Sequence, residues 1–211
     1  MAATNVPVHL HLRALDDYRW TEQSQRQLEE LLRRLSVKLL WLASPNNPTG
    51  RAIPQMMLEP LVACAERHGV FVVLDEAYGE YCDPAGGVRS GSALLGCFAN
   101  LLVLRTLSKL GLAGLRLGLL AGAPDWLEQI EKTRLPYNIS SIDQMTGEFA
   151  LAHREVFDRQ AADIRASRAR LHDDMRAMAD VEIFPSEANF ILFRVSAGRG
   201  QEMFAGLTSR G

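Results

Sequence analysis

Three short apolar runs, each cut off by a polar loop, constrain the fold of this chain more than any other feature. KLLWLA (38–43) ends at SPNNPTG, VFVVL (70–74) ends at a carboxylate, and LLVLR (101–105) ends at TLSK. Continuous apolar runs of this length are typical of strands that are buried on both faces of a parallel sheet. The segments between them supply the crossovers that parallel strands need. The pattern predicts an α/β fold, with a mostly parallel sheet flanked by helices.

Helical patterns lie between and beside these strands. Leucines recur at i, i+3, i+4 and i+7 in TEQSQRQLEELLRRL, which predicts an amphipathic helix with Thr21 as its N-cap. PQMMLEPLVACAERHG predicts a second helix, which ends near Gly69. LRLGLLAG (115–122) predicts a further strand, and APDWLEQIEKTR predicts the helix after it.

The pattern changes after residue 138. Residues 139–178 have a helical pattern rich in opposite charges four positions apart, which predicts a bridging helical segment. VEIFPSEANFILFRV follows as two strand pieces around a turn, and QEMFAGLTSRG as a last helix that ends on Gly211. We therefore expect part of a large domain over residues 1–138. We expect the bridging helix and part of a smaller α+β C-terminal domain over residues 139–211.

Charge and cysteine content narrow the range of partners. The chain has 23 Lys+Arg against 25 Asp+Glu, a formal net charge of -2, so no basic field favours nucleic acid or an anionic membrane. The three cysteines include no C-x-x-C pair and no histidine stands at metal-ligand spacing, which favours reduced thiols and no metal site. The N-terminus lacks a signal-peptide pattern, and no apolar stretch is long enough to span a membrane. These features predict a cytoplasmic protein.

Polar side chains follow all three predicted strands. The first loop delivers Asn47, the second Asp75 and Tyr78, and the third Ser108 and Lys109. Because the carboxyl ends of parallel strands meet at one edge of a sheet, these side chains should face one another. Pyridoxal phosphate (PLP) needs such a set: a lysine for the Schiff base, a carboxylate for the pyridine nitrogen, and donors for the ring oxygen and the phosphate. The loops therefore predict a PLP site.

The order and separation of the motifs identify a family resemblance. SPNNPTG, LDEAYGEY and RTLSKLGLAGLRLG follow one another as in the fold-type-I aminotransferases of the aspartate aminotransferase superfamily. LPYNIS and SEANFILFR are in addition similar to segments of the histidinol-phosphate aminotransferases. The resemblance covers most of residues 38–211. It implies a PLP-dependent enzyme of the aminotransferase fold.

The resemblance also implies a role for each site residue. Lys109 should form the Schiff base with PLP and then move a proton between the substrate Cα and the C4′ atom of the cofactor. Asp75 should pair with the pyridine nitrogen, while Asn47 and Tyr78 should hydrogen-bond the phenolic oxygen. The serine before Lys109 and the arginine of GLRLG should hold the phosphate. The six predicted cofactor residues are Asn47, Asp75, Tyr78, Ser108, Lys109 and Arg116.

Other conspicuous residues have simpler interpretations. Glu76 is expected to be structural rather than a second acid, and Tyr81 is expected to pack. The tryptophans are also expected to pack, and the five scattered histidines are assigned no catalytic or metal-binding role. Asn138 in LPYNIS is left outside the predicted site.

The sequence departs from the family at both ends. Only 43 residues precede Ser44, fewer than the segment that normally supplies further phosphate contacts and a ring-stacking aromatic residue. The chain also stops at SRG, before the strand that in the family carries a carboxylate-binding arginine. We therefore expect a chain truncated at both ends, with a weakened cofactor cup if it acts alone.

The resemblance implies amino transfer in two stages, with glutamate and 2-oxoglutarate as one pair and histidinol phosphate and imidazole acetol phosphate as the other. It also implies a homodimer. A PLP-dependent decarboxylase of the threonine-phosphate decarboxylase type and a non-catalytic α/β module are the alternatives. A nucleotide-binding Rossmann domain is disfavoured, because no glycine fingerprint follows the first strand.

Overall fold

The computed structural model describes residues 17–88, 90–196 and 198–210, and its centre is a four-stranded sheet. The sheet has the order β1-β2-β3-β4 and is preceded by helix α1, and α2 connects β1 to β2. Helices α3, α4 and α5, a two-stranded sheet and α6 follow it. The elements are α1 (Glu22–Arg34), β1 (Leu39–Ala43), α2 (Gln55–Arg67), β2 (Phe71–Asp75), β3 (Leu101–Thr106), β4 (Gly118–Gly122), α3 (Pro124–Glu131), α4 (Ser141–Ala152), α5 (Arg154–Arg176), β5 (Val181–Ile183), β6 (Phe193–Val195) and α6 (Gly200–Thr208).

The strand directions confirm a mostly parallel α/β sheet. Strands β1, β2 and β3 run parallel, whereas β4 runs antiparallel to β3. The predicted strand over 115–122 was too long, since β4 begins at Gly118. Arg116 has a left-handed backbone with φ of 52° after a 3-10 turn over Ala113–Leu115. This turn precedes the strand that returns along β3.

The core lies between the sheet and the first two helices. Val72, Leu74, Leu101 and Val103 are fully buried or nearly so, and they pack in one cluster with the buried faces of α1 and α2. Helix α1 begins as predicted, because the Thr21 side chain accepts a hydrogen bond from the N–H of Ser24. Burial of this apolar surface is the main force that holds the three parallel strands in place.

The tryptophans only partly follow the expectation that they pack. Trp20 belongs to the core, and Trp126 meets Phe71 edge to face with 4.1 Å between ring centroids. Trp41 is 57% exposed, which contradicts the prediction for this residue. It lies on the edge strand β1, where side chains point alternately to opposite faces and Leu42 points into the core.

The helical stretch predicted over 139–178 is two helices. Helix α4 ends at Ala152 and α5 begins at Arg154, with His153 between them at φ of -112°. Strands β5 and β6 pair antiparallel, from Val181 opposite Val195 to Ile183 opposite Phe193. The last helix ends at Thr208, and the predicted end on Gly211 lies outside the described residues. The division into domains at residue 138 stays a prediction.

None of the helices in the described ranges is both long and apolar enough to cross a membrane.

Candidate active site at the carboxyl ends of the strands

The register of the parallel strands brings their three exit loops to one edge of the sheet. Ala43 is the neighbour of Asp75, which is in turn the neighbour of Leu104. The exits are also hydrogen-bonded across the strands. The N–H of Ser44 donates to the carbonyl of Asp75 at 2.9 Å, and the N–H of Glu76 donates to the carbonyl of Leu104 at 2.9 Å. The loops after β1, β2 and β3 therefore start side by side, as the sequence predicts.

The SPNNPTG loop is held by its own polar side chains. Thr49 Oγ1 donates to Asn46 Oδ1 at 3.0 Å, and Ser44 Oγ accepts the N–H of Ile53 at 2.9 Å. Such side-chain to backbone bonds are typical of structured turns. They leave Asn47 exposed at the tip of the loop.

The C-terminal part of the chain braces the same loop from outside. Glu187 Oε1 accepts from Arg51 Nη1 at 3.0 Å, and its Oε2 accepts from the N–H of Ala52 at 3.0 Å. The N–H of Glu187 donates to the carbonyl of Gly50 at 2.7 Å. This contact is not predictable from the sequence, since an acid 136 positions from its arginine carries no local signal.

Asn47, Tyr78 and Lys109 come together, as predicted. Asn47 Nδ2 donates to the phenol oxygen of Tyr78 at 3.1 Å. The amine of Lys109 lies 5.3 Å from the centroid of the Tyr78 ring, within the range of a cation–π contact. Phe190 packs on this ring edge to face, with 5.1 Å between centroids. Three loops that are distant in sequence thus present an amide, a phenol and an amine to one region.

A short 3-10 helix over Ser108–Leu110 carries the lysine. Its entry is fixed by the N–H of Ser108, which donates to Thr106 Oγ1 at 3.1 Å. Its end falls at Gly111, whose φ of 91° suits glycine. Ser108 is half-buried and directly precedes Lys109 in this short helix.

Tyr81 contacts the lysine directly, which corrects the expectation that it only packs. Its phenol donates a hydrogen bond to the carbonyl of Lys109. The ring is 3% exposed, and burial raises the pKa of the Tyr81 phenol against the opposite effect of Asn189. The phenol therefore stays protonated and able to donate. A buried aromatic residue beside the LDEAY motif was the available signal, but its partner was not readable from the sequence.

Asp75 and Arg116 lie where the sequence predicts them, at the end of β2 and in the loop after Lys109, but neither side chain hydrogen-bonds another candidate residue. Asp75 is half-buried at the end of β2, and its Oδ1 accepts the N–H of Ala77 at 3.0 Å. Arg116 is exposed, and its Nη1 donates to the carbonyl of Ala113 at 3.4 Å within its own loop. The roles of both residues toward a cofactor stay predictions.

Solved structures of known proteins share this fold. The histidinol-phosphate aminotransferase from Clostridium acetobutylicum superposes with a TM-score of 0.79 at 20% identity, over 88% of this chain and 55% of that chain. A decarboxylase from Sulfurospirillum multivorans gives a TM-score of 0.80 at 18% identity, over 90% of this chain and 54% of that chain. The fold is therefore the α/β fold of aminotransferases and related decarboxylases. At such identities the likeness concerns the fold alone.

The sequence narrows this class to one family. The profile of the aminotransferase class I and II family matches residues 10–210, so the chain belongs to that family. Histidinol-phosphate aminotransferase 1 of Burkholderia lata is 46% identical over 157 residues, which are 74% of this chain and 42% of the relative. The corresponding enzyme of Methylibium petroleiphilum is 44% identical over 173 residues, 82% of this chain and 45% of the relative. The matched segments thus cover less than half the length of these relatives.

Proposed function

We propose that this chain is part of a PLP-dependent aminotransferase that acts on histidinol phosphate in histidine biosynthesis. The convergence of Asn47, Tyr78 and Lys109 carries the proposal, because it joins an amine to two donors suited to a phenolic oxygen. The relatives that bear the name histidinol-phosphate aminotransferase support the substrate. The amino donor proposed for the other half-reaction is glutamate, which the motif resemblance implies.

The residues present fit PLP in the chemistry of their side chains. Lys109 would hold the aldehyde carbon through its amine, and Asp75 would face the pyridine nitrogen from the end of β2. Asn47 and Tyr78 are already hydrogen-bonded to each other, so directing both toward the phenolic oxygen of PLP would cost little side-chain conformational entropy. Ser108 and Arg116 would hold the phosphate, the arginine as a two-pronged partner of a dianion.

PLP, when bound, supplies the electron sink that stabilises negative charge at the substrate Cα. Lys109 would take the Cα proton and return it at the C4′ atom, which requires its amine to stay close to both atoms. Asp75 would keep the pyridine nitrogen protonated through its carboxylate. Tyr78 and Asn47 would orient the ring, and the edge-to-face contact of Phe190 would limit the rotation of Tyr78. The same residues would serve both halves of a ping-pong cycle.

The first experiment is covalent trapping of PLP. The chain has three lysines, Lys38, Lys109 and Lys132, so borohydride reduction followed by peptide mass spectrometry can assign the attachment site. We expect the mass of reduced PLP on Lys109, a visible absorbance band, and loss of both in Lys109→Ala. Lys132→Ala is the matched control, because Lys132 is 58% exposed at the C-terminal end of α3 and pairs with Glu128. A wild-type protein without the band and without the adduct would contradict the proposal and support a non-catalytic module.

The second experiment separates amino transfer from decarboxylation. Purified protein is given histidinol phosphate with 2-oxoglutarate, and glutamate formation is followed together with carbon dioxide release from threonine phosphate. Glutamate formation that disappears in Lys109→Ala is the expected result. Carbon dioxide release without glutamate would instead assign the decarboxylase, whose fold the chain also shares.

A homodimer is the proposed form of the whole enzyme, as the motif resemblance implies, and the cysteine content favours a cytoplasmic location. An apolar stripe on α4 supports the dimer, with Ile142, Met145 and Phe149 exposed by 75%, 70% and 67%. Exposed apolar stripes of this kind are usually covered by a second chain or by another part of the same protein. The molar mass of the purified protein by light scattering tests the dimer.

A further inference from the structure

Glu76 is a buried acid that is not among the six residues proposed to hold the cofactor. It is 4% exposed, and its Oε1 accepts the N–H of Gly91 at 2.6 Å. Its Oε2 accepts from Ser90 Oγ at 2.6 Å and from Arg105 Nη1 at 2.9 Å. A carboxylate removed from water is tolerated when it is paired and hydrogen-bonded in this way. Because both oxygens are occupied, Glu76 is suited to hold the loop after β2 in one conformation.

Arg105 binds two acids of that loop at once. Its Nη1 donates to Glu76, and its Nη2 donates to Glu80, so the planar guanidinium joins two carboxylates four positions apart. The Arg105 and Glu80 side chains are only 27% and 14% exposed. Burial disfavours the charge of Arg105, but Glu80 and Glu76 raise its pKa overall, so it stays a cation. The two Nη groups form a planar fork that reaches both carboxylates at once. A lysine at this position has a single ammonium group and would lack the fork.

Helix α5 holds the same loop from the other side. Arg154 pairs with the Glu80 carboxylate, and Arg165 Nη1 donates to the Glu80 carbonyl at 3.0 Å. Arg168 Nη1 donates to the Tyr81 carbonyl at 3.0 Å. Glu80, which pairs with Arg105, is therefore also bound to α5, more than seventy residues away in sequence.

These contacts lie next to the proposed cofactor residues in the sequence. Asp75 stands immediately before Glu76, and Tyr78 stands between the two acids. Arg105 lies on β3, four residues before Lys109. The guanidinium therefore joins the loop that carries the carboxylate and the phenol to the strand that delivers the amine.

We propose that Arg105 is a positioning residue, which fixes Asp75 and Tyr78 relative to Lys109 by holding their loop against β3. The inference rests on the proposed function, because the relative placement of these groups matters only at a PLP site. Without the fork, Tyr78 would lose its fixed distance to the lysine amine, and the phenol would orient the ring less well.

Arg105→Lys tests this role, because it keeps the charge and removes the fork. We expect PLP to bind about tenfold more weakly, since a hydrogen bond between charged groups is lost next to the site. The pH at which the visible band of bound PLP changes should move by at least about half a unit, since the groups around the ring are displaced. Backbone hydrogen exchange, measured without PLP, should become about tenfold faster in both 76–82 and 106–112, and stay unchanged in α2.

The matched control is Arg194→Lys. Arg194 pairs with Glu182 at 2.8 Å in the β5–β6 hairpin, but both side chains are 53% exposed, so PLP affinity, band and exchange should equal those of the wild type. If Arg105→Lys does not fold, Glu80→Gln gives the same test, because it leaves the buried Glu76 paired. A several-fold loss of PLP affinity with faster exchange at 76–82 and 106–112 is then expected.

Two results would overturn the positioning role. One is wild-type affinity and band in a folded Arg105→Lys or Glu80→Gln protein. The other is faster exchange in only one of the two segments, since a connecting residue must affect both. A wild-type protein that binds no PLP would refute the proposed function instead, and the exchange measurement would still decide whether Arg105 joins the two segments.

Discussion

The phenol of Tyr81 donates a hydrogen bond to the backbone carbonyl of Lys109, the residue proposed to carry the cofactor. Tyr81→Phe keeps the buried ring and removes this bond. We expect the free energy of unfolding to fall by about 1 kcal/mol, because the Lys109 carbonyl loses a partner in a partly buried position. PLP affinity should fall several-fold at the same time.

Urea unfolding and PLP titration measure the two effects. Tyr137→Phe is the matched control, because Tyr137 is fully exposed and its loss of a hydroxyl should change neither quantity. Equal stability and equal PLP affinity for Tyr81→Phe and the wild type would mean that the phenol does not hold the lysine loop.

The Asn47–Tyr78 hydrogen bond should appear as energetic coupling in PLP binding. Asn47→Ala and Tyr78→Phe are expected to weaken binding individually, and the double variant should lose less than the sum of the two by about 1 kcal/mol. The reason is that each side chain orients the other through the 3.1 Å bond. PLP dissociation constants of the four proteins provide the cycle. Effects that add within about 0.3 kcal/mol would show that the two residues act independently.

Gly50→Ala should destabilise the loop that carries Asn47. Gly50 has φ of 72°, and a Cβ there would lie 2.3 Å from the Ser186 hydroxyl. That hydroxyl is not free to move, since it donates to the carbonyl of Phe190 at 2.6 Å. Strain and overlap together should cost at least about 2 kcal/mol of unfolding free energy, measured by urea denaturation.

Gly206→Ala is the control for that measurement. Gly206 lies within α6, and a Cβ there would meet no atom within 4 Å. Alanine should therefore stabilise the protein slightly, by about 0.5–1 kcal/mol, through its better helix propensity. A Gly50→Ala protein as stable as Gly206→Ala would exclude close packing between the SPNNPTG loop and Ser186.

Cys82 should make the protein less stable in alkali. Burial raises the pKa of its thiol well above the ordinary range, to about 12, so the folded state keeps a proton that the unfolded chain releases. This contribution to stability is complete below pH 9 and is lost as the pH rises toward 12. Its slope is at most about 1.4 kcal/mol per pH unit. Unfolding at pH 8, 9 and 10 should show a smaller decline for Cys82→Ala than for the wild type.

Cys97→Ala serves for comparison, because Cys97 is exposed. Its decline between pH 8 and 10 should equal that of the wild type. Thiol labelling gives an independent check: Cys97 should react with iodoacetamide at pH 8 well before Cys82, which stays a protonated thiol. Rapid labelling of Cys82 in the folded protein would contradict its burial.

The sequence by itself determined the parallel strands and the loops that follow them. Continuous apolar runs are typical of parallel strands, so KLLWLA, VFVVL and LLVLR mark β1, β2 and β3 to within one residue at each end. The expected burial on both faces is wrong for the edge strand β1, where Leu39 and Trp41 are exposed. Their parallel direction then requires the exit loops to meet at one edge. That rule predicts that Asn47, Tyr78 and Lys109 lie together, as they do. It predicts the same of Asp75, whose carboxylate, among the described residues, bonds only the N–H of Ala77.

Only the tertiary structure decided which residues hold those loops. Arg105 pairs with Glu76 and Glu80. Tyr81 donates a hydrogen bond to the Lys109 carbonyl, and Glu187 accepts one from the backbone that follows the SPNNPTG loop. Each contact joins residues that are far apart in the chain. Their residue types are ordinary for a loop or a helix surface, so the sequence does not indicate which residues pair. Periodicity reports which face of an element is buried, but it does not report which distant polar group a side chain meets, because that depends on how the elements pack.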